Sequence, residues 1–214
     1  MFANNILIAL VVGIPMTFAM NYIGTISGAW LESSFIEIRV LRAFPIESII
    51  WGILFCLFMI SSYKYFFANN TEGPIFFVSL RKRFGVVTMI MLVVGMALLS
   101  TVLFIPSAFL FTMPMFLLII IGFLAIPATM FFLPHPKWLS VSTLHGLYLL
   151  VLGTIYEYAA VTTGQWVFPG TYLKVFRILG ASIPVEELIW WLLAPIAFVG
   201  LYKYYFEKDI EGEM

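Results

Sequence analysis

Two adjacent acids, Glu186 and Glu187, stand just behind Pro184 at the mouth of an apolar run that ends near Val199. An earlier apolar run opens in the same way, with Pro45, Glu47 and Ser48. In both, a Glu lies two residues after the proline and a tryptophan four residues after the Glu: Trp51 in the first, Trp190 in the second. A helix over these residues puts each acid one turn from an indole, Glu47 with Trp51, Glu186 with Trp190 and Glu187 with Trp191. A carboxylate at mid-bilayer costs about 2.5–3.5 kcal/mol on the insertion scale, so acids within apolar segments call for a function. The helix macrodipole offers a plainer account, because it favours acids in a first turn. It does not explain why the tryptophans recur with them. One protonated and one ionised Glu supply a proton donor and a proton acceptor in a single site. Indole faces stabilise a nearby cation by about 2 kcal/mol once water is excluded. The chemistry that fits is acid–base catalysis on an apolar, membrane-dissolved substrate.

The elements that must position these groups are membrane spans. Of the 214 residues, 63% are hydrophobic and 10% charged, whereas soluble domains carry about 25% charged residues. The fold class expected is an all-α integral membrane protein forming a single membrane domain. Net charge is zero and no long basic run occurs, which argues against nucleic-acid binding. A single cysteine, Cys56, excludes an intrachain disulfide and reads as a small core residue. No basic residue precedes the first apolar run, so that run reads as a mature helix rather than a secretory signal. About 20 apolar residues make a span, and six are expected, at 4–22, 45–67, 84–105, 110–133, 142–162 and 184–206. Pro45 suits a first helical turn, Pro106-Ser107 a tight hairpin between the third and fourth spans, and Pro134-His135-Pro136 the end of the fourth. Lys64, Arg81, Lys82, Arg83, Lys137, Lys203 and Lys208 collect on one face, against Arg39, Arg42, Lys174 and Arg177 on the other. The positive-inside rule then places both termini in the cytoplasm, with the cell membrane as the expected location.

The chain also repeats itself, which is to be sought before any fold is assigned. Asn21, Gly28 and Trp30 match Glu157, Gly164 and Trp166 at identical spacing. Pro45, Glu47, Ser48 and Trp51 match Pro184, Glu186, Glu187 and Trp190. Both helices close alike, on Tyr63-Lys64 and Tyr202-Lys203. The Trp-to-Glu gap is 17 in the first copy and 20 in the second, so only the loop length differs. The repeat units are 1–67 and 135–206, with an intervening helical hairpin at 84–133. Helices one and two correspond to helices five and six and cross in the same direction, a parallel repeat about an axis along the membrane normal. Both Pro-x-Glu sites then share one membrane face.

Neither a Gly-rich phosphate loop nor a cysteine cluster occurs, and His135 and His145 are too few and too far from the acids for a metal site. His145, with Ser142 and Thr143, reads as a helix-end polar residue. No cofactor is expected. The acid, Gly-x-Trp and Pro-x-Glu-Glu blocks resemble the lycopene cyclase domain of the small, membrane-embedded, non-flavin carotenoid cyclases, in the form with two copies fused. The resemblance covers roughly 1–67 and 135–206. In that family the acid before Gly-x-Trp is commonly Asp and the residue after Pro-x-Glu-Glu-x-x is Phe; Glu157 and Trp190 take those positions here. The chain departs from the pattern at Asn21, where an acid is usual, and at Ser48, where a second Glu is usual.

What the resemblance implies is ring closure at the acyclic ends of lycopene or a related carotenoid, a net isomerisation. Glu186 and Glu187 would form the acid–base pair and Glu47 the matching acid of the first copy. Glu157 and Asn21 would be polar partners, with Trp30 and Trp166 lining or closing the site. Trp51, Trp190, Trp191, Pro45 and Pro184 complete the expected substrate contacts. The expected partners are the carotenoid and the lipid bilayer, with self-association or contact with other carotenoid enzymes left open. The alternative is a transporter of protons or a small cation that uses the same intramembrane acids.

Overall fold

In lipid a backbone N–H or C=O finds no water, so a spanning segment must close its hydrogen bonds within itself. The computed structural model describes residues 5–6, 9–67, 112–133 and 136–206, with 93, 95–97, 100 and 104. Among them are five helices long and apolar enough to cross a membrane. These are α1 (Ile14–Ser27), which continues the π-helical turn Ala9–Gly13, then α2 (Glu47–Phe66), α3 (Met115–Phe132), α4 (Lys137–Thr162) and α5 (Val185–Phe206). A second π-helical turn, Ile121–Ala125, lies within α3. Each π turn ends two residues before a proline, Pro15 or Pro127. Proline leaves the carbonyl four residues back without its donor, and a widened turn absorbs the mismatch.

The helices face outward with apolar rows, Ile50, Leu54 and Phe58 on α2 and Leu144, Leu147, Val151 and Ile155 on α4. In water such rows would be aggregation-prone, whereas lipid solvates them. Inside, α5 packs along α4 and against α2 and α3, around Met59, Ile60, Ile119, Leu124 and Val199. The fold is all-α and of membrane type. Among the described residues, six short strands form three two-stranded ribbons outside the helices.

Those ribbons set out the symmetry. β1 (Leu31–Glu32) follows α1 and pairs antiparallel with β4 (Trp166–Val167), which follows α4. Leu31 is bonded opposite Val167, its own counterpart in the repeat, as a twofold axis between the copies requires. The C-terminal ends of α1 and α4 therefore lie at one face. Each copy then makes a hairpin: β2 (Arg39–Val40) with β3 (Phe44–Pro45), and β5 (Val175–Ile178) with β6 (Ala181–Pro184). Each hairpin is sealed by one further bond at equivalent positions, Ile46 N–H to Ile38 C=O and Val185 N–H to Lys174 C=O. At the opposite ends of α2 and α5, Lys64 lies 4.4 Å from the centroid of Tyr202 and Lys203 lies 5.5 Å from that of Tyr63. That exchange is reciprocal under the same axis.

Several boundaries differ from the sequence reading. α1 runs past Tyr22 to Ser27, with Gly24 inside the helix and Gly28 as its left-handed cap. α4 begins at Lys137 rather than 142. Pro45 and Pro184 close strands instead of opening helices, since each sits at a ribbon end where its missing N–H costs nothing. His145 is not a helix-end residue: it is buried within α4, and its Nε2 lies 2.9 Å from Ser62 Oγ of α2. Lys64 is buried as well. Of the expected third span, 84–105, only Val93, Gly95, Met96, Ala97, Ser100 and Phe104 are described, all helical. Pro106-Ser107, Pro134, His135, Arg81, Lys82, Arg83 and Lys208 lie outside the described residues.

Candidate active site

Each copy positions its tryptophan by the same local device. Gly28 caps α1 with φ 70°, and Gly164 follows α4 with φ 68°, values that disfavour side chains with a Cβ. The residue after each glycine bonds back to the helix, Ala29 N–H to Gly24 C=O and Gln165 N–H to Ala160 C=O, both at 2.8 Å. This turns the next side chain back over the last turns of its own helix. Trp30 Nε1 thereby donates to Asn21 Oδ1 at 3.2 Å, and Trp166 Nε1 to Glu157 Oε2 at 2.9 Å. Trp30 lies so close over Gly24 that a Cβ there would overlap its ring.

The Pro-x-Glu acids do something else. Glu47 Oε1 accepts the backbone N–H groups of Phe35 and Ile36 at 2.9 and 2.7 Å. Glu186 Oε1 accepts Leu173 N–H at 2.7 Å. Each acid thus fastens the preceding loop to the first turn of its helix. In each, the second oxygen is buried without a hydrogen-bond partner among the described residues. Glu186 and Glu187 point different ways despite being neighbours, as successive helical residues must. Glu187 and Glu157 come within hydrogen-bonding reach of one another. Trp191 Nε1 reaches the other oxygen of Glu157 at 2.9 Å.

Between the copies lies a cleft of about 1010 Å³, counting its open mouth. Asn21, Trp30, Pro45, Glu47, Trp51, Glu157, Trp166, Glu187 and Trp190 line it. Glu186, Pro184 and Trp191 do not; Trp191 is buried behind Glu157. The indoles do not bond to the acids one turn back. Trp191 serves Glu157, and Trp51 Nε1 donates to Tyr156 Oη at 2.9 Å. Aromatic rings crowd these acids, with Trp51–Phe55 centroids at 4.6 Å, Tyr156–Trp166 at 5.4 Å and Phe55–Trp191 at 5.1 Å. The arrangement offers carboxyl groups inside an aromatic box, open to one side.

Glu32 is a site residue that lies outside the repeated blocks. It lines the cleft, accepts Trp30 Nε1 at 3.0 Å through Oε1 and accepts the Ser48 hydroxyl through Oε2. Burial pushes its carboxyl above the ordinary range, against the Ser48 and Trp30 bonds and the charge of Arg39. One signal pointed to it: Glu32 stands two residues after Trp30, where the second copy has Phe168 after Trp166. Among the described residues, no three His, Cys, Asp or Glu side chains come together as a metal-binding group. No protein-family model, no curated protein and no solved structure matches this chain.

Proposed function

We propose that this chain is a carotenoid cyclase of the lycopene type, closing a ring at an acyclic end group through a carbocation with no net redox change. The observation that supports it best is the contact between Glu157 and Glu187 inside an aromatic cleft. An ionised carboxylate only accepts hydrogen bonds, so two carboxyl groups bonded together need a proton on one of them. Both oxygens of Glu157 already accept indole N–H groups, which assigns the donating role to Glu187. Glu187 protonates the hydrogen-bearing carbon of the terminal trisubstituted alkene, leaving a tertiary cation on its other carbon. The neighbouring double bond attacks that cation, closing a six-membered ring and moving the positive charge onto a ring carbon. Loss of a proton from an adjacent carbon to a carboxylate then restores neutrality and forms the product alkene. The rings of Trp30, Trp51, Trp166 and Trp190, all lining the cleft, stabilise the cation through their π faces. The five apolar spans among the described residues suit a substrate dissolved in the bilayer. We place the protein in the cell membrane with both termini cytoplasmic, on the basic-residue count.

Glu186 and Glu47 serve as loop anchors in this reading, not as proton donors. Expression in lycopene-accumulating cells followed by pigment analysis tests it. Wild-type protein is expected to yield cyclic carotenoid, and Glu187→Gln to lower the yield by about 100-fold or more, the usual weight of a general acid. Glu186→Gln, which keeps an acceptor for Leu173 N–H, is expected to fall by less. Ring product at wild-type levels from Glu187→Gln would sink the assignment.

A further inference from the structure

The two halves of the cleft differ in where they keep their acid. In the second copy, Glu157 on α4 and Glu187 on α5 face each other beneath Trp166. Their counterparts in the first copy, Asn21 and Ser48, cannot exchange a proton at neutral pH. Yet a carboxylate is present there. Glu32 reaches in from β1 and bonds both to the indole of Trp30 and to the hydroxyl of Ser48. It meets the groups that an acid at position 21 or 48 would meet, while its own counterpart, Phe168, is a ring against Phe116 and Tyr172. The acid of the first half-site has moved from helix to loop without leaving the site.

We infer that Glu32 is a catalytic residue, the base that removes the ring proton in the second step of the proposed cyclisation. This rests on the cyclase reading. Protonation and deprotonation occur at different carbons of one end group, and a donor and an acceptor on opposite walls of the cleft serve both without the substrate turning. Glu32 and Glu187 belong to opposite copies, both line the cleft, and each lies within electrostatic reach of the other. The steps balance. Glu187 loses one proton to the alkene carbon, and Glu32 gains one from the ring carbon. That proton returns from Glu32 to Glu187 across the emptied cleft before the next turnover. The raised affinity of Glu32 for protons favours the uptake step.

Pigment analysis in lycopene-accumulating cells tests this with the full chain as wild type, Glu32→Gln, and Glu32→Gln combined with Ser48→Glu. Gln keeps one acceptor oxygen, for Trp30 Nε1, and turns an amide N–H toward the Ser48 hydroxyl, which can accept it, but Gln cannot take a proton. Glu32→Gln is expected to lower ring product by about 100-fold. The Ser48→Glu change restores an acid at the position where the second copy keeps Glu187, and is expected to recover at least about tenfold of that loss. Glu32→Gln product within twofold of wild type overturns the inference. Should Glu32→Gln prove unfolded by thermal denaturation in detergent, the double variant decides: returning product supports the inference, and none overturns it. Wild-type cells without any cyclic carotenoid overturn the cyclase reading and this inference with it, an outcome distinct from normal rings in Glu32→Gln alone.

Discussion

Glu32 makes its presence felt in stability as well as in chemistry. Burial holds its carboxyl above the ordinary value of 4.5, so the folded chain binds this proton more tightly than the unfolded chain does. The stability that follows is fully present below that ordinary value and is lost as pH climbs through the raised folded-state value. Glu32→Gln removes the titration while keeping one of its two acceptor oxygens. Thermal unfolding in detergent should therefore show wild type losing stability relative to Glu32→Gln as pH rises above the ordinary value of 4.5. Parallel curves for the two proteins over that range would rule out the buried, titrating Glu32. The same residue marks a limit on what the sequence could reveal. Asn21 with Trp30, and Glu157 with Trp166, are each nine residues apart on one folded-back turn, so spacing alone exposes them. Glu32 lies in a segment where acids are cheap, and its importance comes from Ser48, 16 residues on and in another element.

Pairs of helices explain why only one copy has a second indole on its acid. In the second copy Trp191 of α5 lies over Gly153 of α4, where a Cβ would overlap the indole. The equivalent contact in the first copy is reversed in size: Thr17 of α1 fills the space over Gly52 of α2. Small faces large in both, but the large residue comes from opposite helices. Trp191 can therefore reach Glu157, whereas Gly52 has nothing to offer Asn21. Gly153→Ala is expected to destabilise the protein by about 1–3 kcal/mol through overpacking. It should also move Trp191 off Glu157, so that ring formation falls with the thermal midpoint. Unchanged stability and yield in Gly153→Ala would show that α4 and α5 tolerate a wider spacing. None of this could be read from spacing, because Trp191 and Glu157 are 34 residues apart and Trp51 and Tyr156 are 105 apart. The spans themselves were legible because their apolar runs are long. Their ends were less so: Gly24 looks like a helix stop in sequence but admits the ring of Trp30 in the fold.

At the scale of the whole molecule, the twofold relation makes one cleft out of two half-sites and puts both hairpins on one face. The repeated blocks made that relation visible in the sequence, since a parallel repeat brings equivalent acids to one face. The strand pairing of Leu31 with Val167 and the exchange of Lys64 and Lys203 over each other's tyrosines hold the two copies in that register. An inverted repeat would instead send the hairpins to opposite sides. Leu41 and Leu179 stand at the two hairpin turns, exposed by 66% and 85%, with left-handed backbone at both. Cys56 is the sole cysteine of the chain and is fully buried, so a cysteine introduced at either turn can be labelled against a quiet background. In intact cells, a membrane-impermeant maleimide should label Leu41→Cys and Leu179→Cys alike, from outside if both termini are cytoplasmic. Labelling of both only after the membrane is opened reverses the orientation but keeps the twofold. Labelling of one from outside and the other only after lysis breaks the parallel repeat, and with it the composite cleft in which Glu32 faces Glu187.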